Sequence, residues 1–312
     1  MSDPAAALPV ARYRLEFEVT APLSLPAFAG STLRGAWGMA LRQAVCITDK
    51  PVCDGCPLLA SCAYGVVFET RPPRGHPDLL QRFSQVPKPY VIEPPQTGPH
   101  DYRPGDRLAY HTVLAGRALG LLPSLLRAHA WAFRRGVGRG DGRAELVRVV
   151  HEGVTDTVVL ERGETSPRPH APDLPPAPRL ERTVCLQFFT PLRLQTNGRR
   201  AARDEHTARK LLMGLVRRIA LIAEFHGAGP LDLDFAALAR RAEAIRSETD
   251  LVWQDGSRYS NRQRRAVHLG GVVGAWRLSG ELAPFAPFLH LGQWLHVGKE
   301  ATFGLGGYRL AD

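Results

Sequence analysis

Lysine is scarce in this chain of 312 residues, since only four of its 40 basic residues are lysines. Long apolar runs are absent as well, and no stretch approaches the roughly 18 residues that a membrane-spanning helix needs. The N-terminus also lacks the basic and then apolar layout of a secretory signal. We therefore expect a protein without membrane segments that works in the cytoplasm.

The fingerprints of nucleotide-binding enzymes are missing too, although the C-terminal tail is rich in glycine. The tail places Gly298, Gly304, Gly306 and Gly307 close to Lys299. Its spacing differs from the P-loop, in which Gly-Lys and then Ser or Thr open a helix, and from the dinucleotide fingerprint. Because glycine lets the main chain present bare N–H groups, we expect these residues to contact a phosphate or a nucleic-acid backbone. A glycine-rich turn without a ligand is the alternative.

The charge balance favours a polyanionic partner. The formal net charge is +10 and the sequence pI is near 9.8. Basic side chains gain affinity by releasing counterions from nucleic-acid phosphates. Arginine also grips phosphate with two parallel hydrogen bonds and stacks on bases. These properties favour RNA as the ligand, while the arginine usage of a GC-rich genome is the alternative explanation.

A segment at 163–179 separates two halves of the sequence. It is rich in proline and poor in large apolar side chains, a composition typical of a linker. We place an N-terminal domain at 1–165, a linker at 166–180 and a C-terminal domain at 181–312. The hydrophobic content of 44% is sufficient for a core in each domain.

Both halves mix strand and helix patterns, which predicts an α+β fold. Residues 12–20 alternate polar and apolar as a half-buried strand does. A helix follows up to Val45, with Ser31 or Thr32 as its cap. We expect another strand at 65–70, and in the second half a long helix from about 203 to 226.

Four cysteines lie close together in the first half with the spacing C-x6-C-x2-C-x5-C, namely Cys46, Cys53, Cys56 and Cys62. The C-x2-C core has the reach of a metal-binding knuckle, and four thiolates fit a structural zinc ion. An iron–sulfur cluster also takes four cysteines, and metal-free thiols or disulfides are the third alternative. The odd total of five cysteines favours a reducing compartment.

Two basic clusters in the second half are candidates for RNA binding. The first comprises Arg199, Arg200, Arg203, Arg209 and Lys210, and the second comprises Arg258, Tyr259, Arg262, Arg264 and Arg265. Arg42, on the predicted first helix, is a further candidate. Aromatic residues are sparse among them, so we expect contacts with the RNA backbone, which favours a hairpin over an unstacked strand. A solvated helix face is the alternative role of such charges.

A histidine beside the glycine-rich tail is a candidate catalytic residue. Cleavage of RNA without a metal needs a base for the 2′-hydroxyl, a cation for the charge on the phosphate and an acid for the leaving oxygen. Histidine suits proton transfer because its ordinary pKa is near neutral. His296 precedes Gly298 and Lys299, so we expect it to act there. A packed or surface histidine is the alternative.

Several short motifs, in order across both halves, resemble those of one enzyme family. They are Leu33-Arg-Gly-Ala-Trp-Gly38, Cys62-Ala-Tyr64 with Phe68-Glu69, Gly136-Val-Gly-Arg-Gly140, Thr190-Pro-Leu-Arg-Leu194, Tyr259-Ser-Asn-Arg-Gln-Arg-Arg265, Gly270-Gly-Val-Val-Gly274 and the tail from Leu295 to Leu310. In these motifs the chain is similar to the CRISPR-associated repeat-RNA processing endoribonucleases, the Cas-six type of the RAMP superfamily. The resemblance implies two tandem ferredoxin-like (RRM-like) domains, with the cysteine cluster at 46–62 as an insert in the first.

The same resemblance implies a function in CRISPR RNA maturation for antiviral defence. We expect the chain to bind the repeat hairpin of precursor CRISPR RNA and to cut it without a metal. Attack by the 2′-hydroxyl would leave a 2′,3′-cyclic phosphate, and the protein would stay bound as a subunit of a Cas effector complex. The alternative is a non-catalytic RAMP subunit that binds guide RNA. A zinc-stabilised DNA-binding protein is disfavoured, because no helix-turn-helix or zinc-finger histidine pair accompanies the cysteines.

The chain departs from the family at its first long helix. Many members carry a histidine there as the base, whereas this helix offers Arg34, Trp37 and Arg42. Relatives from type IV CRISPR systems rely more on arginine. The resemblance to them makes Arg34 the preferred electrostatic stabiliser and Lys299 the second. A structural salt bridge is the alternative role of Arg34.

Overall fold

The computed structural model describes residues 4–71, 86–95, 100–138, 140–180, 182–196, 198–202, 205–260 and 265–311, without the side chains of 257–260 and 265–268. The chain divides into two compact units. The N-terminal unit holds residues 8–174 and 221–230, and the C-terminal unit holds the rest of the described chain. The domain bounds inferred from the sequence stay a prediction.

Helices and strands alternate along both units. The helices are α1 (Pro4–Ala7), α2 (Gly30–Val45), α3 (Ala63–Phe68), α4 (Leu122–Arg135), α5 (Ala208–His226), α6 (Phe235–Glu243) and α7 (Ala286–Leu295). The strands are β1 (Val10–Val19), β2 (Leu23–Leu25), β3 (Tyr90–Glu93), β4 (His100–Tyr102), β5 (Arg107–Ala115), β6 (Ala144–His151), β7 (Thr157–Glu161), β8 (Thr183–Leu192), β9 (Gln195–Thr196), β10 (Arg199–Arg200), β11 (Arg246–Gln254), β12 (Ser257–Ser260), β13 (Arg265–His268), β14 (Gly271–Ser279) and β15 (Tyr308–Ala311).

The N-terminal unit is built on an antiparallel sheet with the strand order β3-β5-β1-β6-β7. Strand β1 is central, and its side chains alternate between the core and the opposite face because successive residues of a strand point to opposite sides. Leu15 and Phe17 are fully buried. Helices α2 and α4 cover this apolar face, and the ring of Phe17 lies 4.3 Å from that of Phe133 on α4.

The centre of this core is Trp37 on α2, which is fully buried. Its indole Nε1 donates to the carbonyl of Leu125 at 3.2 Å. Its ring stacks on His129 at 4.5 Å and meets the edge of Tyr90 at 5.0 Å. The indole therefore fixes α2 against both α4 and the edge strand β3. This contact sets the position of Arg34, which lies one turn before Trp37 on α2.

The C-terminal unit has an antiparallel sheet with the order β11-β14-β8-β15. Taken in chain order, β8, α5, β11, β14, α7 and β15 follow the β-α-β-β-α-β plan of a ferredoxin-like domain. Apolar residues of α5 recur at helical spacing, and Leu215 and Ile219 are fully buried. Both units thus combine one sheet with packed helices, which confirms the predicted α+β class.

Two local expectations are wrong. Residues 65–70 were expected to form a strand, but 63–68 form the short helix α3, whose Val66, Val67 and Phe68 are buried. Packing against the core overrides the strand propensity of the two valines. The cap of α2 is Ala29 rather than Ser31 or Thr32, and no side chain caps this helix.

No helix in the described part of the chain combines the length and the apolar character that crossing a membrane requires.

Candidate active site and nucleic-acid interface

Arg34 lies on α2 in a cluster of aromatic and basic side chains of the N-terminal unit. Its Nε donates to the hydroxyl of Tyr90 at 3.0 Å, and its Cζ lies 4.8 Å from the centre of the Phe68 ring. Burial alone would lower the pKa of Arg34, but Tyr90, Tyr64 and Glu69 outweigh it, so that the pKa is raised. Arg34 is therefore a permanent cation held in one orientation, as a stabiliser of phosphate charge requires.

Lys88 is the second cation of this cluster, and sequence reasoning missed it. It lies two residues before Tyr90, and its Nζ donates to the carbonyl of Thr70 at 3.3 Å. The pKa of Lys88 is lowered to about 8, chiefly by burial; Glu69 opposes this shift, while Arg34 and Arg71 add to it. No motif marks this lysine, because its pKa depends on residues that the fold brings together.

Two tyrosines complete the cluster. Burial raises the pKa of Tyr64 and of Tyr90 above the usual range, so both hydroxyls keep their protons. Tyr90 is fully buried and Tyr64 is half-buried. We call Arg34, Tyr64, Glu69, Lys88 and Tyr90 the Arg34 cluster. It combines a fixed cation, a titratable amine and hydroxyl donors, which are the groups that RNA cleavage without a metal needs.

His296 is buried inside the C-terminal unit. It ends α7 with a φ of 56° and a ψ of 171°, and its side chain has no exposed surface. Its Nδ1 lies 3.2 Å from the carbonyl of Leu305, which ties the end of α7 to the glycine-rich tail. Lys299 is exposed, and its backbone amide donates to Arg193. The catalytic roles of both residues stay predictions, and the burial of His296 favours a structural role.

The glycines of the tail are required by close packing. The φ values of Gly298, Gly304 and Gly306 are 87°, 89° and 70°. A Cβ at Gly306 would lie 1.8 Å from the carbonyl oxygen of Val297, and one at Gly307 would lie 2.8 Å from the ring of His296. No side chain fits at Gly306, where the contact is with backbone, and one at Gly307 would require the rings of His296 and Phe189 to shift.

Several amides of the same tail already have acceptors within the protein. The amide of Gly304 donates to Ala301, that of Gly306 to Pro191 and that of Gly307 to the hydroxyl of Thr190 at 2.7 Å. These three N–H groups are therefore not available to an anion in this arrangement. RNA binding by Gly298, Gly304, Gly306 and Gly307 stays a prediction.

The first basic cluster is partly neutralised within the C-terminal unit. Arg199 makes two hydrogen bonds of 2.8 and 3.0 Å to the carboxylate of Glu205. Arg209 pairs with Glu243 at 3.0 Å, and Lys210 donates to Thr196. Arg200 is the exception, because its side chain is exposed and has no carboxylate partner in the part of the chain that the structure describes.

Arg200 lies instead on an exposed aromatic ring. Its Cζ is 4.4 Å from the centre of Trp253, which is 45% exposed. The indole Nε1 of Trp253 donates to Asp255 at 2.6 Å, which fixes the ring. Sequence reasoning missed Trp253, although its place on a strand next to basic residues was a usable signal. A guanidinium held on a fixed ring is well placed to bind phosphate.

The second basic cluster and part of the first lie outside the described residues. Arg203, Arg262 and Arg264 lie outside them altogether, and so do the side chains of Arg258, Tyr259 and Arg265. Arg42 is described, and it donates from Nη2 to the carbonyls of Lys50 and Pro51. It therefore braces the segment that carries the cysteines.

The four cysteines line one cavity of about 130 Å³ in the N-terminal unit. Thr48 lies between two of them, with its Oγ1 3.9 Å from the Sγ of Cys46 and 3.7 Å from the Sγ of Cys56. All four are free thiols. Among the residues that the structure describes, no three His, Cys, Asp or Glu side chains are already arranged to hold a metal ion. The metal site at Cys46, Cys53, Cys56 and Cys62 stays a prediction.

Two family models match the sequence. Residues 8–172 match the AF_1859_N N-terminal domain, and residues 186–308 match the CRISPR-associated endoribonuclease Cas6. Comparison with curated proteins gave no sequence match.

Solved structures share the fold. A Cas6 product complex aligns with a TM-score of 0.58 and 17% identity, over 97% of this chain and 100% of that one. Thermus thermophilus Cas6 aligns with a TM-score of 0.53 and 15% identity, over 98% of this chain and 100% of that one. A chain of a partial Cas6-RT-Cas1–Cas2 complex aligns with a TM-score of 0.55 and 15% identity, over 98% of this chain but 46% of that one. These likenesses confirm the predicted tandem ferredoxin-like fold.

Proposed function

We propose that the chain, whose residues 186–308 match the CRISPR-associated endoribonuclease Cas6 family and whose fold is that of Cas6 structures, matures CRISPR RNA. It binds the repeat hairpin of the precursor and cuts it. The observation that carries this proposal is the fixed Arg34 cation beside Lys88, Tyr64 and Tyr90 in the N-terminal unit. Such a cluster provides charge stabilisation and proton transfer at one place.

The proposed reaction uses the RNA's own 2′-hydroxyl and no metal ion. The 2′-oxygen attacks the adjacent phosphorus, and the 5′-oxygen of the next nucleotide leaves. The products are a 2′,3′-cyclic phosphate and a 5′-hydroxyl. Arg34 stabilises the negative charge that develops on the phosphate oxygens, because preorganised cations act most strongly on charge that appears in the transition state. Lys299, which is exposed, is the second candidate for that role.

RNA binding is proposed to rest on the basic surface of the C-terminal unit, with Arg200 on Trp253 as its best-defined contact. Phosphate contacts from arginine position a duplex without reading its sequence. The tail glycines and the basic residues beyond the described parts are further candidates. We also propose that the protein stays on the processed RNA and joins other Cas proteins. The matched chain of a Cas6-RT-Cas1–Cas2 complex supports a Cas partner.

A structural zinc ion at the four cysteines is a separate proposal. Three of them, Cys46, Cys53 and Cys56, already interact electrostatically, and burial raises the pKa of the Cys53 thiol. A zinc ion would draw the thiolates together and stabilise the segment between α2 and α3. We expect about one zinc per chain by elemental analysis, because a closed four-cysteine site holds one ion. Iron with sulfide would indicate a cluster, and a metal-free protein would exclude both.

A non-catalytic guide-RNA subunit is the second candidate function. The observation that favours it is the composition of α2, which carries no histidine between Gly30 and Val45. Such a protein would bind the repeat hairpin with the same basic surface and leave it intact.

The experiment that separates the two uses purified protein, excess EDTA and a labelled repeat hairpin. A matched hairpin carries a 2′-deoxy nucleotide at the mapped cut site. We expect cleavage of the first and none of the second, with a cyclic phosphate on the upstream product. Tight binding of the cognate hairpin without cleavage would sink the enzyme proposal. Cleavage that needs a divalent ion would overturn the metal-independent mechanism.

A further inference from the structure

We infer that Lys88 is the catalytic base, which takes the proton of the 2′-hydroxyl while Arg34 holds the scissile phosphate. The inference rests on the proposed function and names the group that removes the proton. Sequence reasoning assigned that role to His296, which is buried in the C-terminal unit.

The position of Lys88 follows from the edge of the N-terminal sheet. Lys88 precedes β3, and the hydroxyl of Tyr90, two residues later, receives the hydrogen bond of Arg34. Lys88 also lies close enough to Arg34 for the guanidinium charge to lower the pKa of the amine. The carbonyl of Thr70 holds the amine at 3.3 Å. The hydrogen bond to Tyr90 thus fixes Arg34, and the hydrogen bond to the carbonyl of Thr70 fixes Lys88, in the same cluster.

The pairing of Lys88 is unusual for a structural lysine. Within the described part of the chain, no carboxylate lies within salt-bridge distance of its Nζ, and a neutral carbonyl is its hydrogen-bond partner. A half-buried ammonium with no carboxylate in direct contact costs free energy, so a purely structural position would favour another residue. A lysine that must release its proton needs this environment, because burial and a nearby cation favour the neutral amine.

Charged and titratable groups face Lys88 from every element around it. Arg34 lies on α2, Tyr64 on α3, and Glu69 and Arg71 follow α3, while Tyr90 lies on β3. His226, at the end of α5, also interacts with Lys88 and is neutral, because burial lowers its pKa to about 4. Burial is the main cause of the lowered pKa of Lys88, which is about 8; Glu69 raises this pKa, and the two arginines oppose Glu69. Part of the amine is therefore neutral at physiological pH.

The proposed step balances without a further reactant. The neutral amine of Lys88 takes the proton of the 2′-hydroxyl, and the 2′-oxygen forms a bond to phosphorus. The bond from phosphorus to the 5′-oxygen breaks, and its electron pair leaves with that oxygen, which takes a proton from water. Lys88 then returns its proton to solvent. Arg34 keeps its charge throughout, since a guanidinium does not lose its proton in proteins.

The test compares the rate constant for cleavage in wild-type protein, Lys88→Met and Lys88→Arg, across pH, with EDTA present. Methionine keeps the packing and removes the base. Arginine keeps the charge but cannot act as a base. We expect both variants to lose roughly 10²-fold to 10⁴-fold in rate while hairpin affinity changes by less than about tenfold. In wild type the rate should rise with pH and level off near the pKa of Lys88, about 8.

The matched control is Lys50→Met. Lys50 is an exposed lysine whose Nζ also donates to a backbone carbonyl, that of Gly55, at 3.2 Å. We expect the Lys50→Met variant to cleave the hairpin at the wild-type rate. If Lys88→Arg cleaves at the wild-type rate, the base assignment is overturned and Lys88 serves only as a cation. If Lys88→Met also does, Lys88 has no part in catalysis. In both results the proposed function survives, and it fails only if wild type cuts no repeat RNA.

Discussion

Arg34 and Lys88 are ordinary basic residues whose chemistry is set by what packs around them. The Tyr90 hydroxyl and the Phe68 ring hold Arg34 as a fixed cation. Burial makes the charged form of Lys88 costly, and the charges of Arg34 and Arg71 act in the same direction. One residue thus keeps its proton and the other releases it, and such a divergence is the usual mark of a site that transfers protons.

The cost of the Lys88 charge predicts that Lys88→Met stabilises the protein at neutral pH. The folded pKa of about 8 lies below the ordinary lysine value of 10.5, so the unfolded chain binds the proton more tightly. Below the folded pKa the full cost applies, and stability rises with pH until the unfolded value is passed. After discounting for the exposed part of the side chain, we expect a gain on the order of 1 kcal/mol near pH 7. Urea unfolding of both proteins measures it.

The pH dependence provides the control for that measurement. The gain from Lys88→Met should shrink as pH rises from about 8 towards 10.5, where the wild-type amine is neutral in both states. A variant that is less stable than wild type at neutral pH would contradict the assignment of a costly charge. It would show instead that the hydrogen bond to Thr70 is worth more than the burial penalty.

His296 permits a matched pair of substitutions. Its φ of 56° with a ψ of 171° lies in a region that suits glycine, and a side chain there costs about 1–3 kcal/mol. His296→Ala keeps that strain and loses the bond to Leu305, whereas His296→Gly loses the bond and relieves the strain. We expect the alanine variant to unfold at lower urea concentration than both wild type and the glycine variant. Equal stability of the two variants would contradict the strain.

At the scale of the elements, the sequence patterns predicted correctly the features of strands and helices that depend on local periodicity. The alternation in β1 and the apolar stripe of α2 follow from the sequence, and the structure has both. Helix α3 was mistaken for a strand because its six residues are too few for a helical period. Lys88 could not be ranked from the sequence, since its burial arises from tertiary packing, whereas the strand position of Trp253 gave a signal but not its contact with Arg200.

The hairpin of β9 and β10 places Arg200 on Trp253 of β11, and this contact makes a prediction about RNA affinity. Removing the ring frees Arg200 and restores its side-chain entropy. We expect Trp253→Ala to weaken hairpin binding by about 0.5–1 kcal/mol, the range of an arginine on an exposed aromatic ring. Fluorescence anisotropy with a non-cleavable 2′-deoxy hairpin measures it.

Trp131→Ala is the matched control for Trp253→Ala. Trp131 is 36% exposed on α4, and the Cζ of Arg135 lies 5.7 Å from its ring centre. Its groove of about 680 Å³ is lined by Glu145, Glu161 and Glu164 as well as by Arg127 and Arg134, so the carboxylates offset the positive charge of the arginines. We expect its hairpin affinity to match wild type. Equal losses from both substitutions would contradict a specific role of Trp253.

At the scale of the whole molecule, the excess of positive charge is distributed unevenly. The polar face of the N-terminal sheet is a network of ion pairs in which Arg12 contacts Glu93 and Glu152, and Arg14 contacts Glu16 and Glu152. Because three carboxylates balance two guanidinium groups, this network adds no net attraction for RNA. The net charge of +10 must therefore come from residues outside the network.

This distribution predicts how RNA affinity depends on salt. Each phosphate contact releases condensed counterions, so the logarithm of the affinity falls linearly with the logarithm of salt concentration, by about 0.7–0.9 per contact. Arg200 has no carboxylate partner among the described residues, whereas Arg199 is held by Glu205, whose pKa is lowered to about 2 by the amide of Ala202 and by Arg199. We expect Arg200→Ala to reduce the slope by about one contact and Arg199→Ala to leave it nearly unchanged. Equal effects of the two substitutions would show that RNA displaces Glu205 from Arg199. Glu205 and the RNA phosphate would then compete for the Arg199 guanidinium.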